Sequence, residues 1–340
     1  MSSQHALVSI IIVNYNGAEL LKECLRSVFA QQYRPIEVIV VDNGSVDESV
    51  SIVQQEFPEA RVLPLGRNAG FAEANNVGMR QAQGEFVVLL NNDTVVDENW
   101  LPPLLDVLRN PKVAIAASKV LTDGVPREFY EMNGTINYLG YNIMRQFTDL
   151  SMIFYAGGTS LMFRRHEVDE PFINEYFLYH EDVYLSWRMR LKGKDVRMAQ
   201  DSVVYHRGSQ TTRQQASSLI TFYQVRNRIL NLLIFYETRT LLKLLPLLIG
   251  DAIASLARAA VSRSLSALGA LQAYGWLVAH AGWIWRKRAK EQASRGVKDE
   301  PILGLMSADL FDESRSPRVV TLMNRLARSY ARLAGLPYHV

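Results

Sequence analysis

The first third of the chain alternates short apolar runs with segments of helical period. Residues 8–13 and 37–41 are continuous runs rich in Val and Ile, and residues 20–29 between them carry apolar positions at helical spacing. Such unbroken runs indicate strands that are buried on both faces. Further apolar runs follow at 61–65, 86–90 and 113–117, with a helix predicted at about 71–81. The pattern predicts an α/β fold with a mostly parallel central sheet flanked by helices.

Polar clusters follow three of the predicted strands. They are Asn14-Tyr15-Asn16, Asp42-Asn43-Gly44-Ser45 and Asn91-Asn92-Asp93. Ligands of open α/β sheets bind beyond the carboxyl ends of the strands, so we expect these clusters to form one binding edge. Neither GxGxxG nor GxxxxGK[ST] is present, which argues against a dinucleotide fold and a P-loop.

Composition narrows the class of protein. A hydrophobic content of 48% in 340 residues is sufficient for a globular core and roughly two domains. The net charge of +3 is too small to predict nucleic acid as a partner. The single cysteine, Cys24, excludes disulfides within the chain, and its apolar neighbours predict a buried structural thiol. The N-terminus has no visible secretory signal, so we expect a cytoplasmic catalytic part.

An acidic pair, Glu181-Asp182, opens a further predicted helix. Val183, Trp187 and Leu191 share one face of that helix, and Gly193 is a plausible end. Acids in a first helical turn contribute only about 0.3–1 kcal/mol each through the helix dipole, so the pair alone is equally consistent with a structural role. Read with Asp93 and His206, it suggests a base and a metal site that serve one reaction.

Seven ordered motifs resemble the nucleotide-sugar-dependent glycosyltransferases of family 2, which have the GT-A fold. The resemblance covers residues 8–231, and the motifs occur in the family's order. They are Val13-Asn14-Tyr15-Asn16, Val40-Val41-Asp42-Asn43-Gly44-Ser45, Arg67-Asn68-Ala69-Gly70-Phe71 with Asn75-Asn76, Leu89-Leu90-Asn91-Asn92-Asp93, Gly157-Gly158-Thr159-Ser160-Leu161, Glu181-Asp182, and His206-Arg207-Gly208-Ser209.

The resemblance implies a pyrimidine nucleotide-sugar donor, either a dTDP-sugar or a UDP-sugar. Asp42 would accept the imide N–H of the base, because a carboxylate is a strong acceptor for that donor; the alternative is an Asx turn. The Arg67 loop would contact the nucleotide or its phosphates, the alternative being an ordinary loop and helix cap. The implied donor-binding residues are Asn14, Tyr15, Asn16, Asp42, Asn43, Arg67, Asn68, Gly70, Asn75 and Asn92.

The resemblance also implies a divalent metal, Mn²⁺ or Mg²⁺. The family commonly has Asp-x-Asp where this chain has Asn91-Asn92-Asp93, so Asp93 is the only anionic ligand of that motif. His206 is implied as a further ligand, and imidazole favours Mn²⁺. Diphosphate and water would supply the remaining oxygen ligands.

Asp182 is the implied catalytic base of an inverting transfer. One carboxylate suffices for a single in-line displacement. Glu181 is expected to bind the acceptor or to orient the site, and Gly157 and Gly158 to form a wall beside the sugar, with an ordinary turn as the alternative reading of the glycines. Asn91-Asn92-Asp93, residues 157–161 and residues 222–227 look most like the bacterial rhamnosyltransferases of surface polysaccharide synthesis. This resemblance implies that the transferred sugar is L-rhamnose from dTDP-rhamnose. The rival is hexosyl or galactofuranosyl transfer from a UDP-sugar.

The composition changes after Arg228 to Leu, Ala, Ser and aromatic residues. We therefore expect a GT-A domain at 1–230, with a nucleotide half of about 1–120 and an acceptor half of about 121–230, and a C-terminal helical region at 231–340. Residues 241–260 are interrupted by Lys243, Pro246 and Asp251, which argues against a simple span. Residues 264–285 have no charge and end in a Trp-rich, basic stretch that is typical of a membrane interface.

These features favour helices on the inner leaflet. A true span and an ordinary helical subdomain or homo-oligomer contact are the alternatives. Peripheral attachment to the cytoplasmic face would suit a glycan or lipid-linked acceptor, and the arginine-rich tail, Arg315 to Arg332, could add electrostatic attachment. Two other classes of protein are the rivals of a glycosyltransferase. A nucleotidyltransferase is disfavoured because no cationic phosphate loop follows the first strand, and a non-catalytic nucleotide-sugar-binding subunit is compatible with the fold.

Overall fold

The computed structural model describes residues 6–122, 134–143, 153–207, 217–262, 265–311 and 317–338. Gly208 and Ser209 of the last motif, Ser264 of the uncharged stretch and Arg315 of the basic tail lie outside the described residues. The strands are β1 (Val8–Asn14), β2 (Ile36–Asp42), β3 (Ala60–Pro64), β4 (Phe86–Asn91), β5 (Thr94–Val96), β6 (Val113–Thr122), β7 (Thr135–Ile136), β8 (Asn142–Ile143), β9 (Ser160–Arg164) and β10 (Asp195–His206).

The helices lie between and after these strands. They are α1 (Ala18–Phe29), α2 (Ser49–Glu56), α3 (Gly70–Gln81), α4 (Leu101–Leu108), α5 (Glu181–Leu191), α6 (Ser217–Phe235), α7 (Thr238–Ser262), α8 (Leu265–Ala279), α9 (Ala281–Ala293), α10 (Asp299–Leu303) and α11 (Pro317–Ala334). Short 3-10 turns occur at Arg165–Glu167 and Asn174–Tyr176.

The chain divides into two compact units. The first falls within Met1–Asn133, Gln146–Ser186 and Asp195–Gln214, and the second within Gly134–Arg145, Trp187–Lys194 and Gln215–Val340. The sequence expectation of one boundary near residue 230 remains a prediction.

The first unit is built on an eight-stranded sheet in the order β3-β2-β1-β4-β9-β6-β10-β5. Neighbours within β3-β2-β1-β4 and the β6-β10 pair are parallel, whereas β9 and β5 pair antiparallel to their neighbours. The predicted α/β class and mostly parallel sheet are confirmed. The apolar strand side chains pack with α1 and α4 in one core, in which Ile10, Ile12 and Trp100 are fully buried.

A buried hydroxyl network joins the central strands of this sheet. Trp100 Nε1 donates to Ser118 Oγ at 3.0 Å and Ser160 Oγ at 3.1 Å, and Ser202 Oγ donates to the Trp100 carbonyl at 2.8 Å. Buried polar groups are stable only when hydrogen-bonded. The network therefore holds β6, β9 and β10 against the start of α4.

Cys24 is buried in the same core, as predicted. Its Sγ lies 3.6 Å from the Asn91 carbonyl oxygen and 3.8 Å from Thr94 Oγ1. Burial raises the pKa of this thiol to about 12, so it stays neutral and is a structural residue.

The second unit is largely helical. Trp187 stacks on Phe235 with ring centroids 5.3 Å apart, and Arg228 forms an ion pair of 2.8 Å with Asp251 while its guanidinium lies 3.9 Å from the Tyr141 ring centroid. Burying an arginine is costly unless it is paired, so this contact accounts for a buried charge on α6.

The carbonyls at the C-terminal end of α6 are satisfied by side chains from α9 and the segment after it. Arg288 Nη1 donates to Leu233 O and Tyr236 O, both at 2.6 Å, and Gln292 Nε2 donates to Ile234 O and Phe235 O at 2.8 and 2.9 Å. Arg295 adds a further bond to Phe235 O. Arg288, part of the predicted basic interface cluster, is thus engaged inside the unit.

The apolar C-terminal stretches form separate helices. The uncharged stretch at 264–285 is divided between α8 and α9, and the 15 residues of α8 are fewer than the roughly 20 needed to span a bilayer. Within the described residues, one helical segment is long and apolar enough to span by length and composition alone. It is Thr238–Ala257, with a mean hydropathy of 1.7 and 11% of its apolar window buried.

Candidate active site

The carboxyl ends of β1, β2 and β4 bring the predicted polar clusters together. Asn14 is the register partner of Asp42, and Val13 is the partner of Asn91. Asn92 Nδ2 donates to Asn14 Oδ1 at 2.7 Å. These contacts form because parallel neighbouring strands end at the same edge of the sheet, as their buried apolar runs predicted.

The turn after β2 is held by hydrogen bonds to the turn after β1. Asn14 Nδ2 donates to Ser45 Oγ at 3.2 Å, and the backbone N–H of Asn16 donates to the same oxygen at 2.9 Å. Asn16 has a left-handed φ of 51°, and its Oδ1 accepts from the Val46 N–H at 2.8 Å. Tyr15 between them is half-buried. The side chains of Asn14 and Asn16 thus position this turn.

Asp42 is buried at the end of β2. Its two carboxylate oxygens lie 3.4 and 3.3 Å from the backbone N–H of Ser45, which is the Asx-turn contact anticipated as the alternative reading. Both contacts are long, and each carboxylate oxygen has a second lone pair for another donor. The turn contact is therefore compatible with recognition of a base.

Asn43 ties this edge to the Arg67 loop. Asn43 Oδ1 accepts from the Ala69 N–H at 2.7 Å, and its Nδ2 donates to Asn68 Oδ1 at 3.0 Å. Asn68 Oδ1 also accepts from the Gly70 N–H at 3.0 Å. The Arg67 side chain is exposed and ion-paired with Glu73.

Gly70 begins α3 with a φ of +81° and lies directly against Phe177. A Cβ at Gly70 would fall 2.4 Å from Phe177 Cδ2, and the Phe177 carbonyl accepts from the Ala72 N–H at 3.2 Å. By contrast, Asn75 is buried within α3, where its Nδ2 donates to the Phe71 carbonyl at 2.9 Å. Asn68 and Gly70 therefore lie at the binding edge, whereas the Asn75 side chain is bonded to its own helix.

Asp93 and His206 form a buried pair. Antiparallel pairing of β5 with β10 aligns His206 with Thr94, and His206 Nε2 lies 3.3 Å from Asp93 Oδ1. Both side chains are at least nine-tenths buried. Neither Asp93 Oδ1 nor His206 Nδ1 has a hydrogen-bond partner among the described residues. Buried polar atoms without partners are rare in folded proteins, so this pair needs an explanation.

The pair fits two adjacent positions of an octahedral metal ion. Ligands at about 2.1 Å and at right angles lie ~3 Å apart, close to the observed 3.3 Å. Carboxylate with imidazole is a donor set that suits Mn²⁺. Within the described part of the chain, no cluster of three or more His, Cys, Asp or Glu could hold a metal.

Asp182 lies at the start of α5, beside the glycine pair. Its Oδ2 accepts from the Gly158 N–H at 3.3 Å and its Oδ1 from the Val183 N–H at 2.7 Å. Thr159 follows Gly158 in the sequence, and its carbonyl accepts a hydrogen bond from the Asn91 N–H at 3.0 Å. One short segment thus connects Asp182 to the strand end that precedes Asp93.

The glycine pair leaves room beside Asp182. A Cβ at Gly158 would lie 3.3 Å from Phe71 Cε1 and 4.0 Å from Asp182 Cβ. On the other side of Gly157, Ser186 Oγ accepts from the Ala156 N–H at 3.1 Å. The segment is therefore held between α3 and α5 without side chains at its centre.

Burial shifts the titration of both acids in the pair. It raises the pKa of Glu181 and of Asp182, because the charged carboxylates lose solvation, and the negative charge of Asp182 raises the pKa of Glu181 further. Backbone N–H donors to Asp182 oppose the effect of burial on its pKa. Glu181 Oε2 has no hydrogen-bond partner among the described residues. Glu181 is thus the acid that favours its protonated form more strongly.

Two features near Asp182, a buried phenol and a strained backbone segment, escaped sequence reasoning. Burial raises the pKa of Tyr155 well above its usual range, and the charge of Asp182 adds to this rise, which puts the phenol in the electrostatic field of that carboxylate. Phe177, Tyr179 and His180 precede the acids with left-handed φ values of 62°, 68° and 63°. Non-glycine residues rarely adopt this backbone region, and such strain clusters at functional sites. No local pattern marks it in advance.

Comparison with known families identifies the domain that carries this edge. Residues 9–170 match the family model described as Glycosyl transferase family 2. That part of the chain is therefore similar to family 2 glycosyltransferase domains. Glycosyltransferase GlyG of Streptococcus pneumoniae serotype 4 is 35% identical over 101 residues, which are 29% of this chain and 34% of that protein.

A second relative extends further along the chain. Poly-beta-1,6-N-acetyl-D-glucosamine synthase of Staphylococcus aureus is 26% identical over 198 residues, 55% of this chain and 46% of that protein. The chain therefore covers less than half the length of either relative.

Structural comparison confirms the predicted GT-A fold. S. aureus TarS 1-349 in complex with UDP-GlcNAc superposes with a TM-score of 0.54 at 17% identity, covering 97% of this chain and 92% of that chain. The fold, a mixed sheet flanked by helices, matches that of GT-A glycosyltransferases.

Proposed function

We propose that the protein is an inverting glycosyltransferase that moves a sugar from a pyrimidine nucleotide-sugar to a glycan or lipid-linked acceptor. The observation that carries the proposal is the buried Asp93–His206 pair, with 3.3 Å between Oδ1 and Nε2 at the binding edge of a family 2 domain. A donor diphosphate has the oxygen ligands that a metal held by only two protein side chains requires.

Donor binding is assigned to the edge formed by the turns after β1 and β2 and the Arg67 loop. Asp42 accepts the imide N–H of uracil or thymine, and Arg67 leaves Glu73 to bind phosphate. Asn14, Asn43, Asn68 and Asn92 support this edge through the hydrogen bonds described above, with Tyr15, Asn16 and Gly70 completing it. Asn75 is assigned to this donor group through its place on α3.

Asp182 is assigned as the base of a single displacement. The acceptor hydroxyl oxygen bonds to the anomeric carbon, the bond from that carbon to the diphosphate oxygen breaks, and the hydroxyl proton passes to an Asp182 carboxylate oxygen. A divalent cation held by Asp93 and His206 would stabilise the negative charge of the leaving diphosphate. Glu181, Gly157 and Gly158 are assigned to the acceptor or sugar side.

The proposed donor is dTDP-L-rhamnose, with UDP-hexose or UDP-galactofuranose as the alternative. Support comes from the likeness of Asn91-Asn92-Asp93, the segment 157–161 and the segment 222–227 to rhamnosyltransferases. The named relative that makes poly-N-acetylglucosamine, and TarS bound to UDP-GlcNAc, add UDP-N-acetylglucosamine to the donors worth testing.

We place the enzyme on the cytoplasmic face of the inner membrane as a peripheral protein. The support is the apolar, basic composition of the C-terminal region and the chemistry of a lipid-linked acceptor. The alternative is that its exposed apolar helices form the contact of a homo-oligomer.

Exchange of the base tests the mechanism. D182N should lower kcat for sugar transfer by about 10²–10⁴-fold while donor affinity stays near that of the wild type, because the amide cannot accept the proton. D201N, which removes the charge of an exposed aspartate on β10, is the matched control and should transfer normally. Near-normal transfer by D182N would remove Asp182 from the mechanism.

A donor panel tests the substrate. Binding and turnover of dTDP-rhamnose, UDP-glucose, UDP-galactofuranose and UDP-N-acetylglucosamine would be measured with Mn²⁺, with Mg²⁺ and with EDTA. Metal-dependent turnover of one donor would identify the sugar that the enzyme transfers. Binding of a donor without turnover in the presence of extracted lipid-linked acceptors would favour a non-catalytic subunit.

A further inference from the structure

Helix α11 exposes one face and buries the other within the second unit. Asn324, Ala327 and Ala331 lie on the buried face. Asn324 Oδ1 accepts from the N–H groups of Leu310 and Phe311 at 3.0 and 3.2 Å, and its Nδ2 donates to the Phe311 carbonyl at 2.9 Å. Three hydrogen bonds to one buried amide set the rotation of the helix about its axis, and therefore which residues face outward.

The outward face carries two parallel rows of opposite character. Leu322, Leu326 and Leu333 form an aliphatic row, and their exposed fractions are 58%, 62% and 90%. Arg318, Arg325 and Arg332, spaced seven residues apart and all exposed, form a basic row beside it. We call these six residues the α11 face.

No acid balances the basic row on its own helix, because residues 317–334 contain neither Asp nor Glu. The remaining arginine of α11, Arg328, is different: its guanidinium pairs with Asp309 at 2.5 and 2.8 Å. Only the three outward arginines therefore offer their charge to a partner. Leucines beside a uniform row of arginines are the pattern of helices that lie in a bilayer interface and bind anionic lipid.

We propose that the α11 face docks on an anionic lipid bilayer, with the leucines in the acyl boundary and the arginines at the phosphate headgroups. The inference rests on the peripheral attachment in the proposed function and names the surface and lipid chemistry that provide it. The sequence expectation placed the main contact at 264–285 and the basic cluster after it and gave the arginine-rich tail only an added electrostatic role, whereas the proposal makes the α11 face the main contact. Arg288 of that cluster donates to α6 carbonyls and is not available to headgroups.

A second copy of the chain is a poorer occupant of the α11 face. A twofold contact would bring six arginines into one interface with no acid on either helix, and like charges in an interface are repulsive. Helix α7 has its own exposed aliphatic row, Leu242, Leu245, Ile249, Ile253 and Leu256. Because that row is exposed but lacks a neighbouring row of arginines, it serves as an internal comparison.

Vesicle flotation of the full chain tests the proposal. Vesicles of phosphatidylcholine alone and of phosphatidylcholine with phosphatidylglycerol would be mixed with wild type, R318Q/R325Q/R332Q, L322Q/L326Q/L333Q and L242Q/I249Q/I253Q. The charge control is R61Q/R80Q/R109Q, which removes three exposed arginines from the first unit. Circular dichroism and thermal melting verify folding of each variant.

The arginine variant should lose roughly fivefold in partitioning per arginine, about a hundredfold in all, and only on anionic vesicles. The leucine variant of α11 should lose roughly tenfold per leucine on both vesicle types. The charge control should bind within a fewfold of wild type. Retained flotation of both folded α11 variants would overturn the proposal, as would loss of flotation confined to the α7 variant.

Two further readouts separate the possible failures. A change from dimer to monomer in light scattering for the leucine variant, with vesicle binding unchanged, would assign the face to self-association and overturn the proposal. Donor binding is measured on the same variants in solution, and it should be unchanged because none of these residues belongs to the candidate active site. Absence of donor binding in the wild type would reject the transferase proposal while leaving the vesicle result to stand by itself.

Discussion

At the residue scale, the acids at the start of α5 show competing electrostatic effects. The helix dipole favours a charged Glu181 by about 0.3–1 kcal/mol. Burial and the neighbouring charge of Asp182 act in the other direction and raise the pKa of Glu181. Because each pKa unit corresponds to about 1.4 kcal/mol, a buried acid of this kind lowers the stability of the folded protein when it ionises.

Removal of that acid should stabilise the protein at neutral and higher pH. The raised pKa means that the folded state binds the Glu181 proton more tightly than the unfolded state, so stability is present at acid pH and is lost as pH rises through the folded-state pKa. At pH 8, E181Q should therefore have a free energy of unfolding about 1 kcal/mol or more above that of the wild type. It should also melt at a higher temperature.

The advantage of E181Q should vanish near pH 4. E19Q is the matched control, since Glu19 is an exposed acid in the first turn of α1. It should be neutral or slightly destabilising, by up to about 1 kcal/mol, because a favourable dipole contact is lost. Equal behaviour of the two variants at both pH values would contradict the assigned burial effect.

The raised pKa of Asp182 has its own consequence for rate. Under the proposed mechanism Asp182 must be ionised to accept a proton, so kcat/KM should fall as pH decreases through the pKa of Asp182 in the free enzyme. Because burial raises that pKa, the acid limb should lie above the ordinary aspartate value of about 3.9. A profile of kcat/KM against pH with no acid limb above pH 4.5 would argue for another base.

At the element scale, α3 begins where a loop must approach another loop. Gly70 combines a positive φ with close contact against Phe177, and each of these conditions favours glycine. Gly66, four residues earlier, has a φ of +67° but no atom within 4 Å of an added Cβ. Comparing alanine substitutions at the two positions therefore separates the cost of backbone strain from the cost of steric contact.

Alanine at both positions should reveal the difference by chemical denaturation. G66A adds only backbone strain, which costs about 1 kcal/mol. G70A adds the same strain and a clash with Phe177, so it should destabilise by about 2 kcal/mol or more beyond G66A and should weaken donor binding as the Arg67 loop moves. Equal effects of the two substitutions would show that Phe177 yields readily to the added methyl group.

At the scale of the whole molecule, a bound donor should be visible in global stability. A ligand at one hundred times its dissociation constant stabilises the state that binds it by about 2.7 kcal/mol. Under the proposed function, UDP or dTDP with Mn²⁺ should raise the melting temperature, and EDTA should abolish most of the increase. H206A should lose the metal-dependent part, whereas H166A, which alters a partly exposed histidine after β9, should retain it. An identical shift with EDTA would argue against a metal held by Asp93 and His206.

Residue patterns along the chain were enough to predict the local elements and the order of the motifs. Runs of Val and Ile were enough to locate β1, β2 and β4, because burial on both faces of a sheet requires apolar residues at every position. Polar residues after those strands predicted a shared binding edge, because parallel strands place their carboxyl ends at the same edge of the sheet. The start of α5 at Glu181 and the buried state of Cys24 also followed from spacing and composition.

Contacts between distant residues depend on how the strands and helices pack in three dimensions. Asp93 and His206 are brought to 3.3 Å by antiparallel pairing of β5 with β10, and the insertion of β9 between β4 and β6 sets the glycine segment beside Asp182. Strand register, the rotation of α11 and the contact of Phe177 with Gly70 depend on packing among segments far apart in sequence. Local periodicity carries no information about those partners, because it reports only which face of an element is buried.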